Sequence, residues 1–364
     1  MSSDEARRKE QKPPSLTPEQ VVSLALTKYG VACPSSTVRE LDSYDDRNYY
    51  LCKASGTDQQ PEEAFVLKIH NGVESDNLPF LHSQNLALQR LQAAGLPCPT
   101  SCGTVDGDLV STLAEHTLPG LALKRTHAVR LLTYLPGVLM SECEHTPEVL
   151  KRVGKFIGRM DVVLQDVDDQ ALERQHVWDL VHTPSLRDFV EYIENDGRRR
   201  LVLDTIAEFE LRVLPCASLL RRSVIHGDAN DQNILMHTGN LAVAGILDFG
   251  DMLKSWLVND VAIAMAYATL GKDDPVEDVA HMLVGYVEAC PLTAEELDML
   301  PTLVSCRIAC SVTLGAYSHS MDPNNEYLLL TQEPGWRSLE KLRAIGWTEM
   351  KRRWAKRLMH NNTQ

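Results

Sequence analysis

The stretch VIHGDANDQNILM, residues 224–236, encloses the polar run HGDANDQN between an apolar pair and an apolar triplet. Short apolar runs bounded by polar residues predict buried strands. A loop crowded with His226, Asp228, Asn230, Asp231 and Asn233 is therefore expected where two such strands meet. Downstream, TGN at 238–240 predicts a tight turn and LAVAGIL at 241–247 the return strand of a hairpin, which runs directly into DFGD at 248–251. That order lets the side chains of Asp228, Asn233 and Asp248 converge. Convergence of this kind suits phosphoryl transfer, which needs a carboxylate to orient and deprotonate a hydroxyl and hard oxygen ligands for a divalent metal that neutralises phosphate. Asp228 fits the first role, Asn233 and Asp248 the second. A lone HxD is common by chance. An Asp with Asn at the fifth following position and DFG after a hairpin-sized gap is a compound pattern, and it has the spacing of kinase catalytic segments.

The rest of the chain is compatible with that chemistry. At 364 residues it exceeds what one core usually serves, so two lobes are expected. The hydrophobic fraction of 44% and charged fraction of 24% are those of a globular protein. A formal net charge of −14 argues against a nucleic-acid partner, which takes a basic surface. The 9 Cys form no CxxC pair, so reduced thiols and a cytoplasmic location are expected. MSSDEARRKEQKPPSLT has no apolar core of a signal sequence, and charges interrupt the apolar stretches, so no membrane partner is expected.

Residues 1–16 are expected to be a disordered tail. A helix should start at Thr17 as cap with Pro18 in the first turn, and Gly30 should end it. VRELDSYDDRNYYLCKA predicts strand, polar turn, strand; EAFVLKIH a strand carrying Lys68; LPFLHSQNLALQRLQAAG a helix stopping at Gly95; and AVRLLTYLPG a strand ended by Pro136 and Gly137. The β-rich N-lobe is thus placed at 17–135. From 136 to 364 helices dominate, beginning with PEVLKRVGKFIGRMDVVLQ, whose apolar residues recur on one face.

Lys68 lies inside the apolar run FVLKI, where an unpaired ammonium is costly. Alone it reads as an edge-strand Lys pointing to solvent; beside the downstream motifs it reads as a phosphate anchor. With that residue in place, the chain resembles the aminoglycoside phosphotransferase and choline kinase superfamily of small-molecule kinases. The resemblance runs through SYDDRNYYL, VLKI, AAGLPCPT, VRLLTYLPG, HGDANDQNIL and GILDFGDM. It implies an α+β two-lobed protein-kinase-like fold, with a β-rich, nucleotide-binding N-lobe and a mainly helical C-lobe that is catalytic and binds the acceptor.

By that resemblance Asp228 is the catalytic base, Asn233 and Asp248 hold Mg²⁺, and Lys68 holds phosphate. Ser43 and Asn48 bracket the nucleotide-covering turn SYDDRN. This turn lacks the glycines that let backbone amides approach phosphate, so its side chains are expected to substitute. Leu132, Tyr134 and Leu135 form the edge that meets the base. GTP is the implied donor, with ATP as the other candidate. The implied partner is a small-molecule amino alcohol, 5-hydroxy-L-lysine first, with choline, ethanolamine or another amino alcohol as the alternative. Asp251, Arg307 and Tyr317 are the acceptor-side candidates.

The chain departs from the family where a helix-borne Glu should pair with Lys68: Gln84 lies nearest that place. An amide accepts a hydrogen bond but carries no charge, so Lys68 is expected to rely more on the nucleotide for its counter-charge. His226 reads as a packing residue, Asp231 as a loop residue that caps or faces solvent, and Asp260 either as a strut beneath the catalytic loop or as a helix cap. Two other classes compete: a non-haem iron site built from His226, Asp228 and His281, and an inactive kinase fold. The first explains neither Asn233 nor DFG, and the second leaves four intact functional residues unexplained.

Overall fold

The computed structural model describes residues 2–53, 63–323, 325, 329 and 331–361. It divides into an N-terminal unit, Ser2–Ala93 with Cys98–Leu135, and a C-terminal unit, Ala94–Pro97 with Pro136–Gln364.

In the N-terminal unit α1 (Ser2–Glu10) and α2 (Pro18–Tyr29) precede β1 (Arg39–Leu41), β2 (Arg47–Cys52) and β3 (Ala64–Ile69). Then come α3 (Gly72–Ser75), α4 (Leu78–Ala93), β4 (Ser111–Leu113) and β5 (His127–Thr133). The capping signals of α2 are realised: Thr17 and Gln20 form a reciprocal capping box, and Gly30 takes a left-handed φ of 66°. The segment expected as a disordered tail carries α1 instead. Arg8 of that helix pairs with Glu74 at 3.1 Å and Lys9 with Asp45 at 2.7 Å, long-range contacts that no local pattern announces.

The strands form one antiparallel sheet in the order β1-β2-β3-β5-β4. Side chains alternate between faces, so Leu51, Leu67, Ile69, Val129 and Leu131 share a core with Val21, Leu24 and Ala25 of α2. Asn48, Lys68 and Arg130 are cross-strand neighbours in register. Lys68 is only 6% exposed on a central strand, so it is not an edge residue pointing to water.

The C-terminal unit holds β6 (Val138–Leu139), α5 (Pro147–Leu164), α6 (Asp196–Arg212), β7 (Arg222–Ile225), β8 (Ile234–Met236), β9 (Val243–Ile246) and β10 (Leu253–Trp256). It continues with α7 (Val258–Ala268), α8 (Pro275–Ala289), α9 (Ala294–Met321), α10 (Gln332–Ile345) and α11 (Trp347–Asn361). The hairpin expected after the polar loop is β8–β9, to which β6 adds, while β7 pairs with β10. Helix α9 is long and apolar enough by composition to cross a membrane, which the sequence reading had not expected. However, 89% of its apolar window is buried, as in the core helix of a globular unit.

Helices α5 and α8 meet backbone to backbone. A Cβ built on Gly154 would lie 1.9 Å from the Met282 carbonyl oxygen, and one on Gly285 1.9 Å from that of Lys151. Even one methyl group forces the helices apart. Gly285→Ala should therefore destabilise the protein by about 1–3 kcal/mol despite the better helix propensity of Ala. A urea unfolding midpoint equal to that of the parent would contradict the close contact.

Candidate active site

The loop between β7 and β8 is hung on one buried carboxylate. Asp260, near the start of α7, accepts the backbone N–H of His226 at 2.7 Å through Oδ2 and that of Gly227 at 2.8 Å through Oδ1. It is the strut, not a helix cap. Behind it Asp161 of α5 accepts a hydrogen bond from the Tyr286 hydroxyl at 2.5 Å. Burial and the adjoining Asp260 carboxylate hold Asp161 well above the usual carboxylate range. Gly227 has φ of 80°, and a Cβ there would approach the Asp251 carbonyl oxygen to 2.5 Å. The absent side chain brings the loop against the DFGD segment.

Both ring nitrogens of His226 are engaged: Nδ1 accepts the Asp228 amide at 3.2 Å, which leaves Nε2 to donate to the Leu247 carbonyl at 2.9 Å. Its ring also meets Phe249 edge-on. The packing role is realised, and a metal-ligand role would break at least one of these bonds. Leu247 in turn donates its amide to the Asn233 carbonyl at 2.8 Å. Asn230 closes the loop by accepting the amides of Gln232 and Asn233. Asn233 Nδ2 donates to the Asp228 carbonyl at 2.9 Å and to Asp228 Oδ2 at 2.8 Å. Asp231 is half-buried, which pushes its pKa up to about 6.

Asp248 follows at φ of 51°, a left-handed conformation that Asp tolerates better than most side chains. It is exposed and accepts the Gly250 amide at 3.0 Å. Burial raises the Asp228 carboxyl to about 7; Arg307 opposes that rise, and Asp251 and Asp248 add to it. The structure thus brings Asp228, Asn233, Asp248 and Asp251 together.

Arg307 is 1% exposed on α9 and donates through Nη2 to Asp228 Oδ1 at 2.5 Å. Nη1 reaches the Trp178 carbonyl at 3.1 Å, and the guanidinium lies 5.0 Å from the Trp178 ring and 5.4 Å from that of Tyr267. One carboxylate oxygen of Asp228 is therefore fixed by Arg307 and the other by Asn233. This contact with Asp228 was absent from the sequence reading, which took Arg307 as an acceptor residue. Tyr317 is ten residues further along α9, about 15 Å at helical rise, packed between Phe189 and Tyr192. The structure does not bring it to Asp228. Asp251 lies 3.6 Å from His176 Nε2.

In the N-terminal unit Lys68 Nζ lies 3.1 Å from Asp46 Oδ2, with both side chains under 10% exposed. Lys68, expected to rely more on the nucleotide for its counter-charge, has a carboxylate from the turn SYDDRN as well. Gln84 serves another cation, accepting from Arg130 Nη2 at 2.5 Å, while Asn85 accepts from Arg130 Nη1 at 3.1 Å. Asp46, His70 and Glu74 offer oxygen and nitrogen atoms within 4.8 Å of one another, as a metal site would. Lys68 and Arg8 already supply the positive charge there. Ser43 lies in the half-buried turn, and Asn48 Oδ1 is buried with no hydrogen-bond partner among the described residues. Leu132, Tyr134 and Leu135 are half-buried. The Tyr134 amide is spent on the Ala64 carbonyl, whereas the Leu135 amide makes no backbone hydrogen bond among the described residues.

Comparison with known proteins places this geometry. The sequence profile described as "Phosphotransferase enzyme family" matches residues 37–297. Hydroxylysine kinase of Danio rerio is 33% identical over 349 residues, covering 94% of this chain and 95% of the relative. Homoserine kinase of a Chelativorans species is 25% identical, covering 78% of this chain and 81% of its own. Among solved structures, a microcompartment-associated aminopropanol kinase superposes with a TM-score of 0.69 at 18% identity, over 92% of this chain and 99% of that one.

Removing the strut should loosen the whole loop. Asp260→Ala strands two buried amides, for a loss of about 2–5 kcal/mol, which a chemical denaturation curve would register. A loss under 1 kcal/mol would mean that the loop does not hang on Asp260.

Proposed function

This chain belongs to the phosphotransferase enzyme family and is a kinase acting on a hydroxyl of a small molecule; we propose that its acceptor is 5-hydroxy-L-lysine and its donor GTP. One observation carries the acceptor assignment: identity of 33% with a hydroxylysine kinase, sustained across 94% of this chain. The donor follows from the same resemblance, and ATP is the alternative to be measured.

Asp228 acts as the general base. Its two carboxylate oxygens are fixed by Arg307 and Asn233, so the acceptor hydroxyl meets a carboxylate of set orientation, and a pKa near 7 suits a base working at neutral pH. The proton moves from the hydroxyl to Asp228 as the oxygen attacks the γ-phosphorus in line with the departing β–γ bridging oxygen. Asn233 and Asp248 are the Mg²⁺ ligands in this reading. The donor set fits: among the described residues Asn233 spends only Nδ2 on Asp228 and keeps Oδ1, and the Asp248 carboxylate is a second hard oxygen ligand. Held by Asn233 and Asp248, a divalent ion would supply positive charge to the donor phosphates. Lys68 holds the donor phosphates. Ser43 and Asn48 line the covering turn, and Leu132, Tyr134 and Leu135 offer main-chain groups to the base. Asp251, an acid beside Asp228, takes the acceptor ammonium.

The test is a panel of 5-hydroxy-L-lysine, L-homoserine, choline, ethanolamine and aminopropanol, each offered with Mg·GTP and Mg·ATP, scored by nucleoside diphosphate release. Hydroxylysine should give the highest kcat/KM, with GTP ahead of ATP; turnover of choline alone would overturn the acceptor assignment, and ATP ahead of GTP the donor. On the best pair, Asp228→Asn should lower kcat by about 10²- to 10⁴-fold with nucleotide affinity nearly intact. Parent-level turnover would remove Asp228 from the role of base.

A further inference from the structure

A buried ammonium needs a compensating anion, and the carboxylate that supplies it also fixes where the ammonium points. Lys68 sits on the central strand β3, and the helix position nearest to supplying that carboxylate carries Gln84, whose Oε1 is taken by Arg130. Two other acids are near. Glu74 is committed elsewhere: Arg8 donates to it at 3.1 Å and its second oxygen lies 2.8 Å from His70 Nδ1. Asp46 is different. Its Oδ1 accepts both the backbone amide of Asn71 at 2.8 Å and the Asn71 side-chain amide at 2.9 Å, which turns Oδ2 toward Lys68 at 3.1 Å.

We propose that Asp46 is the positioning residue for Lys68, taking from the β1–β2 turn the part that a helix-borne glutamate would otherwise play. The inference rests on reading Lys68 as the phosphate anchor. Its consequence is specific to this chain. Asp46 belongs to the same turn, residues 43–48, that is assigned to cover the nucleotide, and its hydrogen bonds to Asn71 pin that turn to the start of α3. A turn without glycine is held by side chains, and the same side chain aims the lysine. Nucleotide binding and lysine placement are thereby linked through one residue, with no part for α4.

Asp46→Asn is the informative change, because an Asn side-chain oxygen can still accept from Asn71 while the charge facing Lys68 is lost. The full-length protein is assayed with Mg·GTP and Mg·ATP, alongside Lys68→Met and Gln84→Ala. Asp46→Asn should raise the KM for nucleotide about tenfold, the size of one charge-assisted hydrogen bond, with acceptor KM close to the parent, and should lower the melting temperature because the buried ammonium loses its anion. Gln84→Ala should lower the melting temperature and leave nucleotide KM within twofold. The double variant Asp46→Asn with Lys68→Met should be no worse than Lys68→Met alone. A rise for Lys68→Met with none for Asp46→Asn overturns the proposal while sparing the phosphate anchor. No rise for Lys68→Met overturns both. Should Asp46→Asn fail to fold, Asp46→Glu carries the test: nucleotide KM within about threefold of the parent supports a pairing carboxylate, and a rise to the Lys68→Met level contradicts it.

Discussion

Two backbone amides, those of His226 and Gly227, end on the single carboxylate of Asp260. The eight-residue loop 226–233 between buried strands cannot pair all its amides as a helix or sheet would, and buried amides left unmade are expensive. Asp260 resolves that demand at the base of the loop, and the rest follows in sequence. With the loop held there, Gly227 can press against the Asp251 carbonyl, His226 can bridge to Leu247, and the Leu247 amide can tie to Asn233. Those tethers join two segments that are separate in the chain, one carrying Asp228 and Asn233 and the other Asp248.

The charge arrangement has a similar economy. Asp228 stands near Asp248 and Asp251, a concentration of like charge that would favour the protonated acid if nothing opposed it. Arg307 opposes it directly, from a long helix whose apolar window is 89% buried. Asp161 lies beside the strut carboxylate, where burial and that neighbour raise its carboxyl well above the usual range.

What the sequence made legible was what is written within a few residues. The capping box at Thr17 and Gln20, the hairpin β8–β9 and the spacing of Asp228, Asn233 and Asp248 each depend on neighbours a turn or a hairpin away, where backbone geometry fixes the outcome. The contacts it did not announce span the fold. Arg307 reaches Asp228 across 79 residues, and Arg8 reaches Glu74 across 66. Asp46 meets Lys68 because two strands pair in a particular register. Nothing in SYDDRN says which of its two acids meets Lys68 and which meets Lys9. Asp260 was ambiguous for the same reason: a carboxylate near a helix start serves as cap or strut depending on what packs above it. The approach of α5 to α8 at Gly154 and Gly285 depends likewise on which helix faces are brought together.

The central claim is that Asn233 and Asp248 share one metal ion bound to the triphosphate beside Asp228. A crystal structure of the protein with a non-hydrolysable GTP analogue and Mg²⁺ tests it most directly. The account predicts a single octahedral ion with Asn233 Oδ1 and an Asp248 carboxylate oxygen both at about 2.1 Å, together with phosphate oxygens. An ion coordinated by other side chains, with Asn233 and Asp248 turned away from the phosphates, would contradict it.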